Sequence, residues 1–153
     1  MKTRPILLTL ALCFVAALAF AANPSIGTWK LNEAKSNFPP GAPKNTSVVY
    51  QEAGDKIRVS VDGVDAEGDA AHNEWIGKFD GKDYPVTGNP TMDTRSYKMV
   101  NAHTLSMTVK KGVKVVMTGR IVVSADGKTR TVTTSGVDSM GMQVSSTAIY
   151  DKQ

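Results

Sequence analysis

From Lys56 onward, long stretches of the chain alternate one apolar residue with one polar residue. Ile57, Val59 and Val61 share one parity, while Lys56, Arg58, Ser60 and Asp62 take the other. Leu105, Met107 and Val109 alternate in the same way with Thr104, Ser106, Thr108 and Lys110. From Val113 to Val123 the odd positions Val113, Val115, Met117, Ile121 and Val123 form an apolar face opposite Lys114, Thr118 and Arg120. A helix repeats every 3.6 residues, so a period of two is the signature of strands with one face buried and one wet. Composition agrees: from Ala22 to the end there are 16 Val and 13 Thr but only two Leu, and branching at Cβ favours the pleated sheet.

Seven further segments read as strands: Ile26–Asn32, Thr46–Glu52, Ala71–Asp80, Lys82–Thr87, Thr94–Val100, Lys128–Ser135 and Met142–Asp151. Short turn sequences such as Ala53-Gly54-Asp55, Lys111-Gly112 and Asp126-Gly127-Lys128 separate them, so consecutive strands pair antiparallel. A meander this long exposes its edges unless it closes on itself. The expected fold is therefore all-β, an antiparallel up-and-down β-barrel of about 8–10 strands. Pro85 lacks an amide hydrogen, which places its strand at an edge, a bulge or a gap in the ladder. The longest irregular connection is Glu33–Asn45, where Glu33–Phe38 has room for a helical turn before Pro39-Pro40-Gly41-Ala42-Pro43 stops it.

Residues 1–21 read as an export signal. Lys2 and Arg4 precede an apolar run from Ile6 to Phe20, and Ala19-Phe20-Ala21 offers small residues at the cleavage positions. The run falls short of the ~20 residues of a spanning helix and has no basic stop-transfer cluster behind it, so no membrane span is expected after cleavage. Residues 22–153 then form one domain, periplasmic or secreted. Without Lys2 and Arg4 the formal charge of +4 falls to +2, too balanced for a nucleic-acid partner. The only cysteine, Cys13, lies inside the export segment, which removes disulfides, thiol nucleophiles and cysteinyl metal sites from the mature chain.

Ile26-Gly27-Thr28-Trp29-Lys30-Leu31-Asn32 resembles the Gly-x-Trp signature on the first strand of the lipocalins and fatty-acid-binding proteins, the calycin superfamily. Thr147-Ala148-Ile149-Tyr150-Asp151-Lys152 is similar to the last strand of fatty-acid-binding proteins. The chain as a whole looks like the small secreted bacterial proteins labelled lipocalin-like. The resemblance implies that Gly27 and Trp29 close one end of a barrel, with Trp29 packed under an arginine of a late strand, Arg120 or Arg130. It also implies an interior that binds a small hydrophobic or amphipathic molecule. Two features depart from the fatty-acid-binding proteins: Glu33–Asn45 is too short for their two lid helices, and Ala148 stands where they carry the arginine that holds a carboxylate.

Catalytic and metal chemistry find little support. His72 and His103 are isolated from each other, and no Gly-x-Ser-x-Gly elbow is present. The acidic run Asp62-Gly63-Val64-Asp65-Ala66-Glu67-Gly68-Asp69 could offer oxygens to Ca²⁺, yet it lacks the EF-hand ligand order and reads as a solvated loop. No cofactor, no metal and no catalytic residue are expected, and a monomer is the expected state. An enzyme would need two inward ionisable groups brought together, such as Asp93 with Tyr97 or Arg95. The expected ligand lining is Trp75, Phe79, Tyr84, Tyr97, Met99 and Met107, side chains that either border a cavity or fill the interior themselves. The alternative to a carrier is a non-catalytic envelope or interaction module with a filled barrel. It draws on the polar ladder of Thr129, Thr131, Thr133, Ser145 and Thr147.

Overall fold

The computed structural model describes residues 22–138 and 140–153; the expected export signal, residues 1–21, lies outside them. The alternation predicted from the sequence becomes ten strands: β1 (Gly27–Leu31), β2 (Lys44–Ala53), β3 (Lys56–Val64), β4 (Ala70–Gly77), β5 (Tyr84–Thr87), β6 (Thr94–Asn101), β7 (Thr104–Lys111), β8 (Lys114–Val123), β9 (Thr129–Val137) and β10 (Gln143–Lys152). Each pairs antiparallel with its neighbours in sequence, and β1 also pairs with β10 through Trp29↔Lys152, Lys30↔Asp151 and Leu31↔Tyr150. That last ladder closes the barrel and leaves no strand edge open. A single 3-10 turn, Glu33–Lys35, follows β1, and the prolines prevent its continuation. Among the described residues no helix is long and apolar enough to cross a membrane.

Strand β5 is the thin part of the wall. It has four residues and meets β4 only at Glu74↔Thr87 and Trp75↔Val86, and β6 only at Tyr84↔Arg95 and Pro85↔Thr94. Pro85 thus sits at a gap in the ladder, as its missing N–H requires.

The apolar face expected at the odd positions of Val113–Val123 does not hold throughout. Ile121 and Val123 are buried, but Val115 is 47% exposed and Val113 99% exposed. The register between β7 and β8 shifts at Val109/Lys110, where Val109 faces Met117 and Lys110 faces Val115. One extra residue, Val116, is accommodated there, and a one-residue slip sends every side chain beyond it to the other face.

Gly27 adopts φ 131°, which an L side chain rarely tolerates, and a Cβ there would come within 2.7 Å of Lys152 Cε. This bends β1 across the end of the barrel and brings Trp29, 0% exposed, over that end. The core continues through Val48, Tyr50, Val59, Val61, Trp75 and Tyr97.

Gly77 is required by close approach. A Cβ at this position would lie 2.5 Å from Tyr84 Cγ and 2.6 Å from Trp75 Cζ2, so the two rings pack directly on the β4 backbone. Gly77→Ala is expected to lower the unfolding free energy by roughly 1–3 kcal/mol through overpacking. Thermal unfolding followed by circular dichroism checks it, and an unchanged melting temperature would show that the rings can move aside.

Candidate functional site

Ten strands in alternating directions place the β1–β2, β3–β4, β5–β6, β7–β8 and β9–β10 connections at one end of the barrel. At that end a cavity of about 290 Å³ opens between Phe38, Pro39 and Pro43 of the β1–β2 loop and Asn89, Thr91 and Met92 of the β5–β6 loop. The loop that carries Phe38 is pinned to β10 by a reciprocal pair of bonds, Asn37 N–H to Thr147 O at 2.7 Å and Thr147 N–H to Asn37 O at 2.9 Å. Inside, the walls are apolar at Val48, Val61, Val109, Ile121, Val132 and Ala148. Polar groups are few: Asn73, the hydroxyls of Thr134 and Ser146, which bond each other at 2.7 Å, and two arginines.

Arg130 is 2% exposed and reaches the cavity from β9, opposite Tyr150 in the register. Its guanidinium carbon stands 5.4 Å from the ring centroid of Trp29, 5.1 Å from that of Tyr50 and 4.6 Å from that of Tyr150. Of the two arginines that could have covered Trp29, Arg130 does so and Arg120 is exposed. Trp29 also donates its indole N–H to Ser25 O at 2.9 Å and lies 5.2 Å beneath Lys152 Nζ. It therefore acts as a plug holding the N-terminal segment, and it is not among the cavity-lining residues.

Arg95, 5% exposed, comes from the start of β6. Its Nη2 donates to Asn73 Oδ1 at 3.0 Å and to Met92 Sδ at 3.3 Å, and its Nη1 donates to Tyr97 Oη at 3.3 Å. Its own backbone carbonyl accepts the indole N–H of Trp75 at 2.7 Å, which ties this strand to β4.

Of the six side chains expected to line the cavity, Tyr97 and Met107 do so. Trp75, Phe79 and Tyr84 instead form an aromatic cluster with Tyr97, with Trp75 centred 6.3 Å from Phe79, 5.7 Å from Tyr84 and 4.8 Å from Tyr97. They fill the barrel beside the cavity and do not border it. Met99 is corrected outright: it is 47% exposed, because it lies at the end of β6, three residues before the turn at Ala102, beyond the packed interior. Four residues that border the cavity were not among its expected lining: Tyr50 and Asn73, which the sequence reading did not single out, and Arg95 and Arg130, which it raised only for other roles. Arg95 could have been found, since it shares parity with Tyr97, which was already expected to face inward. Tyr50 shares parity with Val48 in the same way.

Asp93 does not join Tyr97 or Arg95. It bonds Lys111 Nζ and the Gly112 N–H, both at 2.7 Å, and the Lys111 contact holds its carboxyl below the ordinary range. His72 pairs with Asp62 at 2.7 Å on the exposed surface. In the acidic loop Asp65 Oδ1 accepts the N–H groups of Glu67 and Asp69 at 3.1 and 2.8 Å, so a turn occupies it. Among the described residues no group of three His, Cys, Asp or Glu side chains could hold a metal ion.

Burial pushes the phenols of Tyr50 and Tyr150 above their ordinary value, although Arg130 pulls both down. Both therefore remain neutral in the folded barrel, and the raised value has a consequence for stability. The stabilisation is present in full below the unfolded value near 10 and is lost as pH rises above it. In an alkaline titration followed by phenolate absorbance, Tyr50 and Tyr150 are expected to ionise only as the barrel unfolds. Smooth ionisation of all four tyrosines with the fold intact would contradict this.

The class of protein is thus a closed ten-strand antiparallel β-barrel with a plugged end, an open end and an internal cavity carrying two buried arginines. No family model matches the chain, and neither does any curated protein.

Proposed function

We propose that this protein is a calycin-like carrier, exported with Ala22 as its first mature residue, that takes a small hydrophobic or amphipathic molecule into its barrel without transforming it. The observation that carries the reading is the cavity itself. About 290 Å³ of mostly apolar space opens at the end of the barrel opposite the Trp29 plug, close to the lower limit of ordinary ligand pockets. A barrel meant only for rigidity gains by filling such a space, because an unfilled interior loses dispersion contacts along its walls. The Gly27–Trp29 plug covered by Arg130 supports the calycin assignment, since that is the arrangement the sequence resemblance implied. The ionisable groups that border the cavity are Arg95, Arg130 and three tyrosines, with Arg95 bonded to Tyr97; no carboxylate or imidazole among the described residues stands with them to exchange a proton near neutral pH, which favours binding over catalysis.

The neutral probe N-phenyl-1-naphthylamine is expected to bind the mature protein once per barrel with a saturable rise in fluorescence. Native mass spectrometry of protein taken from its own host is expected to carry a small-molecule adduct. Neither signal appearing would sink the reading.

A second reading, an interaction module, draws on apolar side chains at the same end. Val113 is 99% exposed, Met140 81%, Met142 57% and Val115 47%, all at or beside the β7–β8 and β9–β10 turns. The carrier reading expects a monomer in sedimentation. A dimer abolished by Val113→Lys with Met140→Lys would favour the module.

A further inference from the structure

We propose that this protein docks on the surface of an anionic phospholipid bilayer through the tips of its β7–β8 and β9–β10 hairpins. Val113, Val115, Met140 and Met142 enter the interface, and Lys111 and Lys114 lie among the headgroup phosphates. Docking needs no ligand in the cavity, so its failure would leave the carrier reading untouched.

The two hairpins form a distinct edge of the barrel. The β8–β9 ladder ends at Met117↔Gly136, whereas β7–β8 runs on to Lys111↔Lys114 and β9–β10 to Gln143↔Val137. Past that point each hairpin is a separate two-strand ribbon, and a notch of about 170 Å³ is lined by Val115, Val116, Val137 and Gln143 between them. Met117, Gly136 and Val137 border this notch and the main cavity alike, so the docking edge is also a wall of the binding space.

Both tips present apolar side chains where hairpins ordinarily carry polar ones. Val113 is 99% exposed and Met140 81%, with Val115 and Met142 about half-exposed beside them. Hydrogen bonds fix both turns. Asp93 accepts the Gly112 N–H and the Lys111 ammonium, and Asp138 Oδ1 accepts the N–H groups of Met140 and Met142, both at 2.9 Å. The side chains are therefore held out in water, and an apolar phase that covers them is favoured over water.

Size and charge favour lipid over a protein partner. A stable protein interface takes roughly 20–30 residues from each side, and four side chains on two hairpin tips fall far short of that. A bilayer surface asks less: a few apolar side chains at the acyl boundary, with lysines reaching the headgroups. Lys111 and Lys114 bracket Val113, against one acid, Asp138, in the two turns. Lys111 shares its charge with Asp93, whereas Lys114 belongs to no ion pair among the described residues. The acidic run Asp65, Glu67 and Asp69 occupies the β3–β4 loop, and in the ring of strands β3 and β4 stand diametrically opposite β8 and β9. A negative bilayer attracts one side of the rim and repels the other, which tilts the barrel onto its hairpin edge.

Flotation of the mature protein with vesicles of phosphatidylcholine, alone or mixed equally with phosphatidylglycerol, tests the docking. The wild type is expected to float with the mixed vesicles and to bind them about 5-fold more tightly than phosphatidylcholine alone, the contribution of one lysine near an anionic surface. Lys114→Gln is expected to erase that preference. Val113→Ser with Met140→Ser is expected to weaken binding at least about 10-fold by removing two apolar anchors. Val100→Ser, at an exposed valine of the plugged end, is expected to change nothing. Circular dichroism melting establishes that each variant is folded, and the wild-type comparison of the two vesicles needs no variant.

Wild-type protein that floats with neither vesicle would overturn the docking, while N-phenyl-1-naphthylamine binding without vesicles reads the carrier separately. Equal affinity for both vesicles, or a preference that survives Lys114→Gln, would overturn the role of the anionic headgroups. An equal loss from Val100→Ser would overturn the assignment to these tips. A dimer in place of vesicle binding, dissolved by Val113→Ser with Met140→Ser, would overturn the bilayer in favour of a second copy of the chain.

Discussion

Trp29→Ala is expected to lower the unfolding free energy by about 3–5 kcal/mol, the range for removing a large buried aromatic side chain. For a domain of about 132 residues that corresponds to a fall in melting temperature of roughly 10–20 °C. Three losses act together. The indole is 0% exposed, so its removal opens a void where Gly27 has bent the chain to fit it. The Ser25 carbonyl loses the indole N–H that holds the N-terminal segment against the barrel. Arg130 also loses one of the three rings that offset its burial. Trp29→Phe keeps a ring beneath Arg130 and loses mainly the hydrogen bond, so its expected cost is smaller, about 1–2 kcal/mol. Urea unfolding of the wild type and both variants separates these contributions. A cost under about 1 kcal/mol for Trp29→Ala would show that the end plug contributes little to the fold, contrary to the void-plus-bond argument.

The second large effect concerns the cavity. Ala148 lies on β10 opposite Val132, is 5% exposed, and presents only a methyl group to the interior. Ala148→Phe places a ring in that space. Overpacking a filled core costs roughly 1–3 kcal/mol, and the cost falls toward zero where empty volume accepts the new group. The variant is therefore expected to melt close to the wild type while binding of N-phenyl-1-naphthylamine falls by at least about 10-fold, a loss of about 1.4 kcal/mol or more. Probe titration beside a melting curve gives both quantities. Unchanged binding in a folded variant would place the probe outside the barrel and remove the main support for the carrier reading.

These two sites illustrate different degrees of legibility. The role of Trp29 could be expected from the chain, because Gly27-Thr28-Trp29 resembles the calycin first-strand signature and the resemblance implies that this ring closes one end of the barrel. The position of Ala148 was visible too, as the place where an expected arginine is missing. That Arg95 and Arg130 from β6 and β9 share one space with Ala148 was not visible, since these residues are far from Ala148 in sequence and only closure brings them together. The aromatic residues show the same limit. Trp75, Phe79, Tyr84 and Tyr97 were expected together as cavity lining, yet of the four only Tyr97 borders the cavity, because stacking of Trp75 on Phe79 and edge-to-face contacts with Tyr84 and Tyr97 gather the other three into a cluster beside it.

The sequence alone determined the strand class, the order of ten strands, the reversal at each turn and the weakness at Pro85. These follow from short-range causes: side-chain alternation, branching at Cβ and the missing proline N–H. Tertiary structure decided which inward side chains meet, where the bulge at Val116 turns Val113 and Val115 outward, and that the interior keeps a cavity with Arg95 at its mouth. Those outcomes depend on register across neighbouring strands and on how rings of different size pack once the barrel is closed. No window of consecutive residues contains both partners of such a contact.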